Sequence, residues 1–199
     1  MTPFTRHEGT AVGLPFENVD TDQIIPARFM ATPRSEGYGR FLLHDLRHDE
    51  AGAARPDFPL NRADAAGASV LVARRNFGGG SSREAAVYAL VDAGIRAVLA
   101  PSFGDIFCGN AVANGLLPAR LDPDAIEALL AMAPCPVVVD LDATTVEAGG
   151  RRFGFEIDPV FRVKLSNGWD DIDLTASWGE RIAAFTAERR ARAPWLWRT

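Results

Sequence analysis

A chain of 199 residues, 47% hydrophobic and 24% charged, has the size of one domain and the composition of a soluble globular protein. Its net charge of −5 argues against non-specific binding to nucleic acid or to an anionic membrane. No apolar run approaches the roughly 20 residues of a membrane-spanning helix, and the opening MTPFTRHEGTAVGLPFENVD lacks the apolar core of a signal peptide, so the cytoplasm is the expected location.

In chain order, FENVDTDQIIPARFM (Phe16–Met30) reads as an acidic turn followed by a short apolar strand that Pro26 stops. From Ala31 to about Ala68 the chain is rich in Gly, Pro, Arg and Asp, with one short helix expected near Phe41–His48. A long irregular stretch of this kind is more often functional or mobile than idle. SVLVARRNF (Ser69–Phe77) is apolar and β-branched enough for a buried strand. After three glycines, the spacing of Ala85, Ala86, Ala89, Leu90 and Ala93 predicts a helix stopped by Gly94. Ile95–Ser102 reads as the next strand and Gly104–Gly115 as a short helix. Asp122–Ala133 opens with an aspartate cap and a proline in the first turn, which predicts another helix. Cys135–Ile157 reads as a strand and then a hairpin across Gly149-Gly150, and Ser177–Ala193 as an amphipathic last helix. Strands alternating with helices from 69 to 133 imply a parallel sheet.

The chemistry concentrates in RNFGGGSSRE (Arg75–Glu84). It lacks the Gly-Lys-Ser/Thr of a P-loop, the third glycine of a dinucleotide fingerprint and the Gly-x-Ser-x-Gly of a nucleophile elbow. A strand, glycines and then a helix put Ser81, Ser82 and Arg83 at a helix N-terminus, where unpaired amides and the helix dipole favour an anion. Arg83 is suited to clamp a carboxylate with two hydrogen bonds, and a hydroxyl beside it gains acidity enough to serve as a base. The alternative is structural, because Ser81 and Glu84 also have the spacing of a capping box. Three other clusters read as plainer features. His44 and His48 lie one helical turn apart, but no third metal ligand is suggested and a solvated helix face is expected. Asp170, Asp171 and Asp173 read as a polar turn, and Asp20 and Asp22 as a cap or a site-facing turn. Cys108 and Cys135 are too few to hold a four-thiolate cluster.

NVDTDQIIPARFM followed some fifty residues later by NFGGGSSRE, then GDIFCGNAVANGLLP, FEIDP, DDIDLT and a closing APWL, resembles the 3-isopropylmalate dehydratase small subunits of the aconitase superfamily. The resemblance runs through nearly the whole chain in order. It implies an α/β fold, the swivelling β/β/α domain of the aconitase type with a mainly parallel central sheet. Residues 1–199 would form that single domain, with a mobile segment at about 30–68. It further implies a hydro-lyase that isomerises 2-isopropylmalate to 3-isopropylmalate by dehydration and rehydration in leucine biosynthesis. The partner would be a large subunit bearing a [4Fe–4S] cluster, with no cofactor or metal on this chain and a small dicarboxylate as substrate. By position, Ser81 would be the catalytic base, with Ser82, Arg83, Gly79, Gly80, Asp20, Thr21, Asp22 and Arg28 binding substrate. The loop Arg28–Gly39, with Phe29, Met30 and Tyr38, would close over the site. Two positions depart from the family pattern: Gly79 stands where a cysteine is usual and Ala85 where a histidine is usual. Those departures keep two alternatives in view, a paralogous dehydratase for another malate-type diacid or a homologous tricarboxylate, and a non-catalytic assembly subunit.

Overall fold

The computed structural model describes residues 1–197. Among them the strands are β1 (Arg6–Leu14), β2 (Val70–Ala73), β3 (Ala97–Ala100), β4 (Leu117–Arg120), β5 (Cys135–Asp140), β6 (Thr145–Ala148) and β7 (Arg151–Gly154). The helices are α1 (Thr21–Ile24), α2 (His44–Arg47), α3 (Glu84–Asp92), α4 (Asp105–Ala113), α5 (Pro123–Met132), α6 (Pro159–Asn167), α7 (Asp171–Ala176) and α8 (Gly179–Arg192). One sheet takes all the strands in the order β4-β3-β2-β1-β5-β6-β7. Side chains alternate across it. Leu71 and Val98 face a core built with α3, while Val70, Val72, Ala97 and Leu99 face a second core.

The sheet is mixed rather than mainly parallel. β1 to β4 pair in parallel, but β5 runs antiparallel to β1, and β6 and β7 continue antiparallel. The expected βα alternation supplies the parallel half. The other half is a meander, whose tight turns leave no room for the crossover that a parallel pair needs. Gly149 and Gly150 make the last of these turns with φ of 55° and 73°, the paired positive values of a hairpin turn.

Two further expectations are corrected, and two strands carry no clear sequence signal. The short apolar strand expected before Pro26 is instead the end of α1 with Ile25 as its C-cap. Asp20 caps it, accepting from Gln23 N at 2.7 Å while its own N–H donates to Gln23 Oε1 at 3.0 Å. That reciprocal cap outweighs the weak β preference of Ile24 and Ile25, which are fully buried either way. β1 was hidden by Arg6, Glu8 and two glycines, although it is the strand that joins the parallel and antiparallel halves. β4 was hidden by Pro118, tolerated because β4 lies at the sheet edge. The aspartates 170–173 form a capping box rather than a plain turn, with Asp170 accepting from Ile172 N and Asp173 N at 2.8 Å. Within residues 30–68, Tyr38, Leu42, Leu43 and Phe58 are buried in the α3 core.

Candidate active site

The parallel strands deliver their C-terminal ends to one edge, the usual place for a site in an α/β sheet. After β1 the chain turns through Asn18 to Asp22, and after β2 it enters the glycine loop. Backbone bonds stitch the two together: Gly78 N donates to Val19 O at 2.7 Å, Thr21 N to Gly79 O at 3.0 Å, and Asn18 N to Arg75 O at 2.9 Å. The Thr21 hydroxyl donates to Ser81 O at 2.9 Å, and Asn76 Nδ2 to Asn18 Oδ1 at 3.0 Å. The segment after β3 closes the third side, with Phe77 N donating to Ser102 O and Gly104 N to Phe77 O, both at 3.0 Å.

Glycine is required in this loop for identifiable reasons. Gly78 has φ of 73°, and a Cβ there would lie 2.3 Å from the Phe107 ring. Gly80 has φ of 89°. Gly79 has no such backbone demand, and a Cβ on it would meet the Asn76 amide at 3.1 Å, so a side chain fits there if Asn76 gives slightly.

The loop brings Gly80, Ser81 and Arg83 beside Asp20, Thr21 and Asp22, while Ser82 makes no hydrogen bond to the protein among the described residues. Arg83, only 21% exposed, forms an ion pair with Asp22. Among the described residues the amides of Gly80, Ser81 and Ser82 donate to no protein acceptor, and Ser81 contributes only its carbonyl to a hydrogen bond. Successive amides without a protein acceptor are open to solvent or to an anion. The capping-box reading of Ser81 fails on geometry, because α3 begins at Glu84, Arg83 is the cap residue, and no side chain caps it.

Arg28 is held elsewhere in its own segment. It grips Asp45 with two hydrogen bonds and lies 4.5 Å over the Phe29 ring. The Arg28 guanidinium holds the Asp45 carboxyl down at about 2. His44 stacks on His48 at 4.4 Å and lies 4.7 Å from Phe29, so the pair is half-buried, with His44 against an aromatic ring. Sequence reasoning missed the strap that follows. Arg34 sits 3.5 Å over the Tyr88 ring, and Tyr38 N donates to Asp92 Oδ2 at 2.9 Å, which lashes residues 34–38 onto α3. The bracing asparagines were missed as well, although Asn18 and Asn76, with φ of 55° and 60°, occupy positions that asparagine favours.

Residues 1–124 match the family described as aconitase C-terminal domain, and residues 171–198 the family described as the C-terminal domain of the 3-isopropylmalate dehydratase small subunit. A 3-isopropylmalate dehydratase small subunit from Rhodospirillum centenum is 46% identical over 98% of this chain and 98% of its own length. The chain belongs to the 3-isopropylmalate dehydratase small-subunit family. A Geobacillus kaustophilus small subunit is 45% identical over 96% of this chain and 98% of its own. The crystal structure of 3-isopropylmalate dehydratase from Methanocaldococcus jannaschii matches with a TM-score of 0.64 at 28% identity, over 92% of this chain and 99% of that one. As a member of a small-subunit family the chain has a larger partner, and its fold is of the aconitase α/β type. No helix among the described residues is long and apolar enough to cross a membrane.

Proposed function

We propose that this chain is the small subunit of a cytoplasmic 3-isopropylmalate dehydratase, a hydro-lyase of leucine biosynthesis. With its large subunit it interconverts 2-isopropylmalate and 3-isopropylmalate by removing and re-adding water. The observation that carries the reading is the Asp20–Asp22 turn stitched onto the Gly79–Arg83 loop, in a chain that matches such subunits over nearly its whole length.

Ser81 Oγ takes the proton from the carbon next to a substrate carboxylate as hydroxide leaves the neighbouring carbon, giving isopropylmaleate. On rehydration the proton returns to the carbon that lost hydroxide, and hydroxide adds to the other. Free amides and the Arg83 guanidinium around Ser81 supply the positive potential that lets a hydroxyl act as base. Arg83 and Ser82 hold a carboxylate, while Asp22 fixes the guanidinium and leaves its other N–H donors for the substrate. Gly79 and Gly80 let the backbone approach the dianion, and Thr21 locks the Ser81 carbonyl. Phe29 and Met30, next to Arg28, cover the substrate's alkyl end, and Arg28 reaches the substrate only by leaving Asp45. In this reading residues 1–199 act as one swivel domain, and about 30–68 is its movable part.

This chain's residues do not fit an iron–sulfur cluster. Among the described residues no three His, Cys, Asp or Glu side chains converge, and burial pushes the Cys108 thiol up to about 11 and Cys135 upward too. We therefore place the [4Fe–4S] cluster, and the Lewis acidity it supplies, on the large subunit. The test is reconstitution with a purified large subunit and assay of 2-isopropylmalate against methylated malates and a homologous tricarboxylate. Preferred turnover of 2-isopropylmalate is expected. Preference for another diacid, which the changes at Gly79 and Ala85 would then explain, overturns the substrate; a stable complex without turnover overturns the enzyme.

A further inference from the structure

We infer that the C-terminal arm, from α7 to Trp197, is the element that docks this chain onto the large subunit, by laying an aromatic stripe into an apolar groove with an acidic rim. The inference rests on the small-subunit reading. Trp178, Ile182 and Phe185 recur at steps of four and three residues and so share one helix face. No residue of α8 is buried, and Phe185 is 67% exposed. The turn after α8 folds back, with Arg190 4.6 Å over the Trp197 ring, and leaves Trp195 72% exposed.

Three of the four tryptophans of the chain lie in this arm, at 178, 195 and 197. With Phe185 they leave on the order of 400–500 Å² of aromatic surface in water, since each such side chain can bury about 150–250 Å². Ile172, Ile182 and Leu196 extend it towards the roughly 800 Å² per partner of a stable interface. A monomer's largest apolar patch is usually about 300–600 Å², so this surface is built to be covered.

The arm springs from a fixed root. Lys164, 4% exposed, reaches Asp171 at 2.8 Å, and the amino terminus donates to Gly168 O at 2.9 Å. Beyond that root, α8 does not fold onto its own body. Its polar flank carries Arg181, Arg189, Arg190 and Arg192 against Glu180 and Glu188, which selects an acidic surround.

Two observations choose the large subunit as occupant. The body matches a family described as the aconitase C-terminal domain, whereas the arm matches a family described as the C-terminal domain of a dehydratase small subunit, so the arm goes with chains that stand apart as subunits. A domain tethered within a longer chain needs no docking arm; a separate subunit does. The exposed apolar surface also runs from the arm to the active site. Val160 and Val163 on α6 and Ile106 on α4 are exposed, α6 packs on α4, and Gly104 at the start of α4 is bonded to Phe77 of the glycine loop. A partner that closes the site therefore covers this strip on its way to the arm.

The test measures association of the full chain with a purified, cluster-loaded large subunit by sedimentation and calorimetry. The double variant Ile182→Asp, Phe185→Asp should raise Kd at least 100-fold and leave the melting temperature of the free chain unchanged. At saturating large subunit its kcat should recover. Ser81→Ala should do the reverse, binding normally with low turnover, so a failed functional reading is distinguishable from a failed docking surface. Unchanged affinity in the double variant overturns the inference. So does a wild-type dimer that the double variant dissociates without loss of large-subunit affinity, which would make a second copy the occupant. A lowered melting temperature with intact association would show that the arm packs on its own body and likewise overturns it.

Discussion

Arg28 and Arg83 both meet an aspartate within the chain, but in different surroundings. Arg83 is shielded against the glycine loop, whereas Arg28 and Asp45 are 55% and 53% exposed. The Asp45 carboxyl titrates at about 2 instead of 3.8, chiefly through its hydrogen bonds to Arg28. A lowered folded pKa stabilises the fold above the unfolded value, and the contribution is lost as pH falls through the folded one. Water screens so exposed a pair, which limits its worth to about 1 kcal/mol or less. Asp45→Asn should therefore cost less than about 1 kcal/mol at pH 7. Urea unfolding should show wild type and variant converging as pH falls from about 4 to about 1; a gap undiminished at about pH 1 would assign the effect to something other than the ion pair. Ser81 differs from both arginines in having no structural employment for its hydroxyl. Ser81→Ala should lower turnover of the reconstituted enzyme by at least about 100-fold. Its unfolding free energy should move by no more than about 0.5 kcal/mol, as at an ordinary surface site. Near-normal turnover would remove Ser81 as the base.

At the scale of elements, the strap from Arg34 to Tyr38 depends on α3. Asp92 serves it twice, accepting from Tyr38 N at 2.9 Å and lying 3.7 Å from Arg34. Asp92→Ala should speed amide exchange across residues 34–41 about 10-fold, the effect of a net hydrogen bond plus an exposed ion pair. Exchange in β2 and β3 should not change. Equal protection in the variant would mean that burial of Tyr38 and Leu42 holds the strap without Asp92. This element marks where sequence reading stops. The run from Ser69 to Ala133, β4 apart, is legible because β2 and β3 are buried on both faces as continuous apolar runs and glycines or prolines punctuate the helices between them. β1 is not, because its first half carries Arg6 and Glu8 and is half solvated. The glycine loop and the Asp20–Asp22 turn are legible as a pair of motifs. Their neighbours are not, since the Arg28–Asp45 and Tyr38–Asp92 contacts join residues 17 and 54 apart with no pattern to link them. The fate of Ser81 also needed the structure, because capping box and free hydroxyl share one spacing and only the start of α3 at Glu84 separates them.

At the scale of the molecule, the proposed site is a base and an anion cradle with nothing to assist departure of hydroxide. A tenfold change in rate corresponds to about 1.4 kcal/mol of barrier, and Lewis-acid assistance to a leaving oxygen supplies several kcal/mol. The chain cannot make up that deficit from its own thiols. With Cys108 at about 11, only roughly one molecule in ten thousand carries its thiolate at neutral pH, and thiolate is the form that binds iron. The purified chain should therefore show no measurable dehydration of 2-isopropylmalate and should retain no iron after anaerobic exposure to Fe²⁺ and sulfide. Titrated into a fixed amount of cluster-loaded large subunit, it should bring turnover up from baseline to a plateau. Iron analysis and the visible absorption of the cluster check the first half, and the coupled assay the second. Iron near one cluster per isolated chain, or turnover that does not depend on the large subunit, would place the missing Lewis acid on this chain and overturn the division of labour.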